Sequence, residues 1–341
     1  MKKIVSVLFL SALLLILAAC GGGESGGKES SDSDVVNLRL AGQSPDDHPS
    51  TQALYRFVDK VKERTSGRVN IKVYPANQLG DYTTVYEEIS HGTIEMGLIT
   101  MPEELNGQVT VAAAPYLVPD YADAVDIIGV GSYVHDVVKE ANASLGIEFL
   151  GYYANGYGGL GTTKEIKNLT DPTVDKGLLL RSPSSSVYKF PMEDLGFRTT
   201  SIPFADLYTA MQTGASDGWS GGDVALNYTG FRDVLKHFYF TKDFFNADGF
   251  IINQNAFSKL TEEDQEIIKV LANEMFIESI DESKAGDAEF LVKLADYGIN
   301  VVELSDADLS TLAETVRSKT WNRLEGEFGT DVVEELIRLY Q

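Results

Sequence analysis

The chain has 341 residues, of which 43% are hydrophobic, and this is more material than a single domain usually needs for its core. Its 51 acidic and 28 basic residues give a formal net charge of −23, and such a negative surface repels phosphate backbones and anionic lipid headgroups. We therefore expect two domains and no nucleic-acid partner, and an anionic ligand would need a local cationic side chain.

The first twenty residues are typical of an export signal. Lys2 and Lys3 precede an apolar segment, and small residues precede Cys20. This pattern resembles a bacterial lipoprotein signal, which implies removal of residues 1–19 and lipidation of Cys20, so that membrane lipid anchors the protein on the outer face of the cell membrane. Residues 20–35 are rich in glycine and serine and predict a flexible linker. The alternative, a membrane-spanning helix, lacks a polar boundary on its far side.

After the linker, the apolar pattern alternates between strands and helices. The predicted elements are strand 35–42, helix 50–67, strand 68–75, helix 82–92, strand 95–100, helix 121–140 and strand 146–153. A second series follows, with strand 177–181, helix 186–196, strand 197–202 and helix 204–214. Two such series predict two α/β lobes, each built on a parallel, doubly wound sheet.

Residues 261–297 predict one long helix. The stretch has no proline, it has one glycine, Gly286, and it begins with a capping threonine followed by three acidic residues. At about 1.5 Å per residue the helix would run roughly 50 Å, which is longer than one lobe is wide. Two helices broken at Gly286 are the alternative.

The segment "GYGGLG", Gly156 to Gly161, matches the dinucleotide-binding pattern G-x-G-x-x-G. That pattern needs a helix whose N-terminus meets the pyrophosphate, but the residues that follow are polar and interrupted by Pro172. We therefore interpret the segment as a flexible crossover between lobes.

The segment "GWSGG", Gly218 to Gly222, matches the nucleophile elbow of hydrolases around Ser220. An elbow needs a strand directly before the serine, whereas the preceding residues have helical spacing. The four histidines, His48, His91, His135 and His237, have no metal-ligand spacing and predict ordinary surface positions. We expect the "GWSGG" segment to line a ligand pocket. We expect no catalytic residue, no metal and no other cofactor in this protein.

Arg181 is a candidate for anion binding. It ends the predicted strand of "KGLLLRSPSSS", and ligands of open α/β sheets bind beyond the carboxyl ends of strands. Pro183 favours extended geometry at Ser182, and serine hydroxyls and backbone amides follow where a helix begins. The alternative is a structural arginine paired with one of the many carboxylates.

The chain resembles the solute-binding receptors of tripartite ATP-independent (TRAP) transporters, of the dicarboxylate-receptor type, over nearly all of residues 36–341. The matching segments are "VNIKVYPANQLGD", "HGTIEMGLIT", "APYLV", "KGLLLRSP" and "LGFRTTSIPFADLYTAMQTGASDG". The resemblance implies a two-lobed α/β fold of the periplasmic-binding-protein type, with crossing strands and a long helix that spans both lobes. It also implies hinge closure over a small organic acid, with Arg181 on the carboxylate, and delivery to permease subunits driven by an ion gradient.

Other positions of the family pattern carry over unevenly. Where many members read "D-G-Q-E-N-P", this chain reads "DGWSGG", and Gly218 replaces the acidic metal ligand of the subgroup that has a tryptophan at this place. Glycines at 158 and 159 replace a second arginine found in receptors for acidic sugars, so we expect a ligand with one principal carboxylate. The predicted ligand contacts are Gln43, Tyr82, Thr100, Glu103, Tyr157, Arg181, Ser184, Phe204, Trp219 and Gly221.

We predict that lobe I comprises residues 36–155 and 248–286, and that lobe II comprises residues 156–247 and 287–341. Two alternatives to an organic-acid receptor remain. One is a binding protein of similar shape for an uncharged polyol or sugar, or for another class of transporter. The other is a secreted hydrolase.

Overall fold

The computed structural model describes residues 35–340. The predicted signal segment, Cys20 and the linker up to residue 34 lie outside the described residues. Within the part of the chain that is described, no helix combines the length and the apolar character that crossing a membrane requires.

Residues 35–340 contain ten strands, which form one sheet. They are β1 (Val36–Gly42), β2 (Val69–Tyr74), β3 (Met96–Ile99), β4 (Ile147–Thr162), β5 (Leu179–Ser182), β6 (Arg198–Ser201), β7 (Gly218–Asp223), β8 (His237–Phe240), β9 (Phe245–Asn253) and β10 (Asn300–Glu303). The order is β2-β1-β3-β9-β4-β7-β5-β6, and β8 joins β4 to β10. We call β1, β2 and β3, which lie on one side of the central strands β9 and β4, the β1–β3 half. We call β5, β6 and β7, which lie on the other side, the β5–β7 half.

The prediction of purely parallel sheets is wrong at the centre. The outer strands are parallel, as for β1 with β2 and for β5 with β6. In contrast, β9 is antiparallel to both β3 and β4, and β4 is antiparallel to β7. Because β4 and β9 run through both halves in opposite directions, they join the halves directly, which alternation of strands and helices cannot predict.

The helices described in residues 35–340 lie around this sheet. They are α1 (Pro49–Arg64), α2 (Tyr82–His91), α3 (Ala124–Ile128), α4 (Tyr133–Ala143), α5 (Ser186–Asp194), α6 (Phe204–Thr213), α7 (Val224–Phe231), α8 (Gln254–Phe257), α9 (Glu262–Asp296), α10 (Asp306–Arg323), α11 (Glu325–Phe328) and α12 (Thr330–Arg338). The predicted helix over 121–140 is wrong in extent, since α3 and α4 are separate. Between them Gly131 has a φ of +89°, a conformation that glycine adopts without strain.

The long helix is confirmed. α9 is continuous over 35 residues and includes Gly286, and its N-cap is Thr261, whose side chain accepts a hydrogen bond from the Asp264 amide at 3.1 Å. It is fixed to β4 near its middle, because the Ala154 amide donates to Ser279 Oγ at 2.9 Å and Ser283 Oγ donates to the Ala154 carbonyl at 2.6 Å. α9 therefore follows the crossing strands from one half to the other.

The interior is continuous between the halves. One hydrophobic cluster lies in the β1–β3 half and includes Leu40 and Phe57, and another lies beside β5 and includes Leu180 and Met192. A third and larger cluster contains residues of both halves, Trp219 among them. The predicted lobe boundaries cut β4, β9 and α9, the three elements that run through both halves, and they stay a prediction.

Candidate functional site

Arg181 lies within β5, one residue before its end, and its side chain is buried, with 2% exposure. Its Nε atom donates a hydrogen bond to the Ile202 carbonyl oxygen at 2.8 Å. None of the salt bridges among residues 35–340 involves Arg181. The alternative of a structural ion pair therefore has no support in the described residues.

The environment of Arg181 leaves a buried positive charge without a carboxylate in contact. Burial lowers the pKa of Arg181, because removal from water penalises the charged guanidinium, and the neighbouring Tyr82 and Asp81 oppose this decrease. Burial in turn raises the pKa of Tyr82 to about 12, so this neighbour is a neutral phenol at neutral pH. A buried cation with no anionic partner is costly, and a bound carboxylate would compensate its charge.

Arg181 borders a narrow cavity between the two halves, with a volume of about 20 Å³. The predicted contacts that line it are Gln43, Tyr82, Thr100, Arg181, Phe204, Trp219 and Gly221. Pro183, Tyr188 and Leu226 also line it, and the sequence analysis missed them. Tyr188 could have been found, since it follows the serines after Arg181 by less than one turn of α5.

Aromatic rings form one wall of this cavity. The Phe204 ring lies 6.2 Å from the Trp219 ring and 5.9 Å from the Arg181 guanidinium carbon. The Trp219 indole nitrogen donates to Asn227 Oδ1 at 3.0 Å, which fixes the ring. A Cβ atom at Gly222 would lie 2.0 Å from Trp219, so the glycine is required for this packing.

Three predicted contacts do not line the cavity. Ser184 is exposed and donates to Glu104, and Glu103 accepts hydrogen bonds from the residues that begin α5. The Tyr157 hydroxyl donates to the Val118 carbonyl at 3.1 Å, and its ring lines a different cavity beside α9. The side chains of these three residues have protein partners in this structure.

Glu103 caps a helix of the opposite half. Its Oε1 accepts from the Ser186 amide at 2.8 Å and its Oε2 accepts from the Ser185 hydroxyl at 2.9 Å. Burial raises the pKa of Glu103, and the hydrogen bonds from Ser186 and Ser185 oppose this increase. The N-cap residue of α5, Ser185, makes no side-chain cap of its own, so Glu103 supplies the missing acceptor.

Asp81 does the same for α6. The N-cap residue of α6 is Pro203, whose side chain has no acceptor, and Asp81 Oδ2 accepts from the Ala205 amide at 3.2 Å. Both caps join a loop of the β1–β3 half to a helix N-terminus of the β5–β7 half. They therefore link the two halves directly.

The "GYGGLG" segment lies inside β4 and has no helix after it, so it lacks the geometry of a dinucleotide site. The segment does cross between the halves as part of β4, but the predicted flexibility is wrong, because the segment pairs with β7, β8 and β9. Its glycines allow close approach of other elements. A Cβ atom at Gly159 would lie 2.5 Å from the Tyr239 carbonyl oxygen, and one at Gly161 would lie 2.4 Å from Asn227 Oδ1.

The "GWSGG" segment is β7, and Ser220 lies within the paired strand rather than at a turn after it. Its buried hydroxyl faces Asp243 Oδ2 at 3.5 Å. This is not the arrangement of an elbow, whose serine is exposed at a strand-to-helix turn.

The prediction of surface histidines is wrong for His48 and His135, which are both buried. His48 begins α1, and its Nε2 lies 3.4 Å from Asp223 Oδ1. Among residues 35–340 no group of three or more histidine, cysteine or acidic side chains could hold a metal ion.

Comparison with known proteins gives a match to a family model. Residues 40–325 match the model described as bacterial extracellular solute-binding protein, family 7. A solved TRAP periplasmic solute-binding protein from Desulfovibrio salexigens, with bound orotic acid, is similar with a TM-score of 0.81 and 25% identity, covering 89% of this chain and 97% of that chain.

Two curated relatives are similar over most of their length. The sialic acid-binding periplasmic protein of Vibrio cholerae is 23% identical over 288 residues, 83% of this chain and 86% of that protein. The 2,3-diketo-L-gulonate-binding periplasmic protein of Escherichia coli is 24% identical over 240 residues, 70% of this chain and 72% of that protein.

Proposed function

Because this chain belongs to family 7 of the bacterial extracellular solute-binding proteins, we propose that it captures a small organic acid at the Arg181 cavity and delivers it to a TRAP permease. The two-lobed fold, which includes the long helix α9, is similar to that of a solved TRAP receptor. The relatives named above are periplasmic binding proteins, and their ligands, as named, include orotic acid and sialic acid.

One observation carries the proposal for the ligand. Arg181 is buried beside a cavity between the halves and has no ion-pair partner in residues 35–340. Its Nε is used by Ile202, and the side chain also hydrogen-bonds to Tyr82, so the remaining N–H groups of the two terminal nitrogens are the donors left for a ligand. Two parallel N–H donors match the two oxygens of a carboxylate.

The mechanism of capture is closure of the two halves around the acid. Gln43, Tyr82 and Thr100 belong to the β1–β3 half, and Arg181, Phe204 and Trp219 belong to the β5–β7 half. A ligand that contacts both sets stabilises the closed form. Closure removes water, which strengthens the attraction between Arg181 and the carboxylate because the effective dielectric constant falls.

Periplasmic receptors of this family work outside the cytoplasm. We further propose that a lipid on Cys20 anchors this protein to the membrane. The support for it is the signal-like pattern of residues 1–20 and the polar linker that follows. An anchored receptor would stay near the permease, and the linker would let it move above the membrane.

Native mass spectrometry of freshly purified protein tests the proposed ligand class, since a closed cavity retains a tightly bound ligand through purification. We expect an added mass that matches a carboxylic acid, and calorimetric titration of the stripped protein with that acid should give saturable binding. A retained uncharged polyol, with no binding of any acid in a panel of monocarboxylates, dicarboxylates and oxo acids, would contradict the proposal. Turnover of a bound compound would favour an enzyme.

A further inference from the structure

We propose that Asp248 determines ligand specificity, by making the Gln43–Thr100 wall of the cavity accept hydrogen bonds rather than donate them. The cavity would then select monocarboxylates that carry a hydroxyl group and reject dicarboxylates of the same length. This inference rests on the proposed function, since it concerns the same cavity.

Asp248 lies in β9 directly behind this wall and is buried, with 5% exposure. Its Oδ1 accepts from Gln43 Nε2 at 3.2 Å and from Thr100 Oγ1 at 3.3 Å. Its Oδ2 accepts from Asn155 Nδ2 at 2.9 Å. All three donors are neutral, and none of the salt bridges formed by residues 35–340 includes Asp248.

These bonds consume the hydrogen-bond donors of the wall. The Gln43 amide nitrogen has two N–H groups, which serve Thr100 Oγ1 at 3.0 Å and Asp248, and the single O–H of Thr100 also serves Asp248. Gln43 Oε1 accepts from the Thr100 amide at 2.9 Å, which fixes the orientation of the side-chain amide. The groups left for a ligand are lone pairs on Gln43 Oε1 and Thr100 Oγ1.

The negative charge of Asp248 also disfavours a second carboxylate at the Gln43–Thr100 wall. Burial raises its pKa to about 6, and the hydrogen bond from Asn155 opposes that increase, so the carboxyl group is mostly ionised at neutral pH. Arg181 is the single cationic residue among the described residues that line the cavity. A second ligand carboxylate at the Gln43–Thr100 wall would meet lone pairs and a negative charge, whereas a hydroxyl would donate to the wall.

The test is calorimetric titration at pH 7.5 with two matched pairs, succinate with 4-hydroxybutyrate and glutarate with 5-hydroxyvalerate. In the wild type we expect the hydroxy acid of a pair to bind at least about 10-fold more tightly than the diacid, as one unpaired polar group implies. Asp248→Asn removes the negative charge behind the wall, and the preference should fall at least about 10-fold, mainly because the diacid binds better.

Asp243→Asn is the matched control. Asp243 is equally buried and its pKa is also raised by burial, but it contacts Thr241 and Ser220 rather than Gln43 and Thr100. Its variant should keep the wild-type preference.

Three outcomes overturn the inference while the proposed function stands. They are equal binding of both members of a pair by the wild type, an unchanged preference in Asp248→Asn, and the same change in Asp243→Asn. If Asp248→Asn does not fold, the preference of the wild type for the hydroxy acid over the diacid still tests the inference. If the wild type binds no acid of these pairs or of the broader panel, the proposed function fails as well.

Discussion

The Nε atom of Arg181 donates to the Ile202 carbonyl oxygen at 2.8 Å, and this bond orients the guanidinium at the edge of the cavity. Arg181→Lys keeps the charge but removes both this bond and the planar fork, so we expect a loss of affinity of roughly 30-fold to several thousand-fold for the acid. Calorimetric titration measures the loss.

Arg198→Lys is the control for Arg181, because Arg198 lies on the neighbouring strand β6 and is exposed. Thermal melts of the empty variants separate binding from folding. A structural role for Arg181 predicts a lower melting temperature of the empty Arg181→Lys protein with nearly unchanged affinity, and that result would contradict the assignment.

The caps across the cavity predict an effect of Glu103 on closure. Glu103→Gln keeps an acceptor for Ser186 but loses the negative charge beside the N-terminus of α5. Charge at a helix N-terminus contributes about 0.3 to 1 kcal/mol, so we expect affinity to fall by roughly 2-fold to 5-fold.

Small-angle scattering checks that the Glu103 effect is one of closure. Ligand should reduce the radius of gyration of the wild type, and a higher ligand concentration should be needed for the same change in Glu103→Gln. Glu104→Gln is the control, since Glu104 contacts the exposed Ser184. Equal effects of both variants would speak against a specific role of Glu103.

Buried carboxyl groups predict an unusual dependence of stability on pH. Burial raises the pKa of Asp243 and Asp248 to about 6 and that of Asp287 to about 7. In the unfolded chain an aspartate has a pKa of about 3.9, so between about pH 4 and pH 7 the native state binds more protons than the unfolded state. These three groups should therefore make the free energy of unfolding decrease as the pH rises through this window.

Asp287→Asn tests this dependence. The asparagine oxygen can still accept from the Tyr121 hydroxyl and from the Tyr157 amide, both of which bond to the same carboxylate oxygen of Asp287. Thermal melts at pH 5 and pH 8 should show a smaller decrease in melting temperature for Asp287→Asn than for the wild type. Asp47→Asn, at an exposed position, should behave as the wild type. An equal decrease in all three proteins would exclude Asp287 as a cause.

Ser220 is predicted to have no nucleophilic role. Ser220→Ala should leave any ester hydrolysis in the preparation unchanged and should bind the acid as the wild type does. Trp219→Ala should weaken binding, because it removes an aromatic wall of the cavity. Selective labelling of Ser220 by a serine-reactive phosphonate would contradict this view, and mass spectrometry of the labelled peptide would detect it.

The proposed anchor predicts that Cys20→Ser releases the protein from the membrane fraction or leaves its signal segment uncleaved, because serine cannot carry the thioether-linked lipid. Membrane fractionation followed by intact mass measurement distinguishes these outcomes. A variant that still partitions into the membrane with the mature wild-type mass would show that Cys20 does not anchor the chain.

The sequence alone determined the elements whose causes are local. Helix α2 is an example, because Asp81 caps its start and Gly92, with a φ of +78°, ends it. The absence of proline between residues 261 and 297 was enough to predict α9, and the position of Arg181 after three leucines was enough to place it at the end of a strand. Periodicity, caps and breakers act over a few residues, so a single sequence contains them.

Only the tertiary structure decided what the glycine-rich segments and the acidic loops do. Gly159 and Gly161 must be glycines because Tyr239 and Asn227, far away in the sequence, approach them closely. Glu103 does not line the cavity because its carboxylate accepts hydrogen bonds at the N-terminus of α5. Asp248 gains its relationship to Gln43 across 205 positions of the chain. Such contacts depend on how separate elements pack, and no local pattern of residue types records which partners will meet.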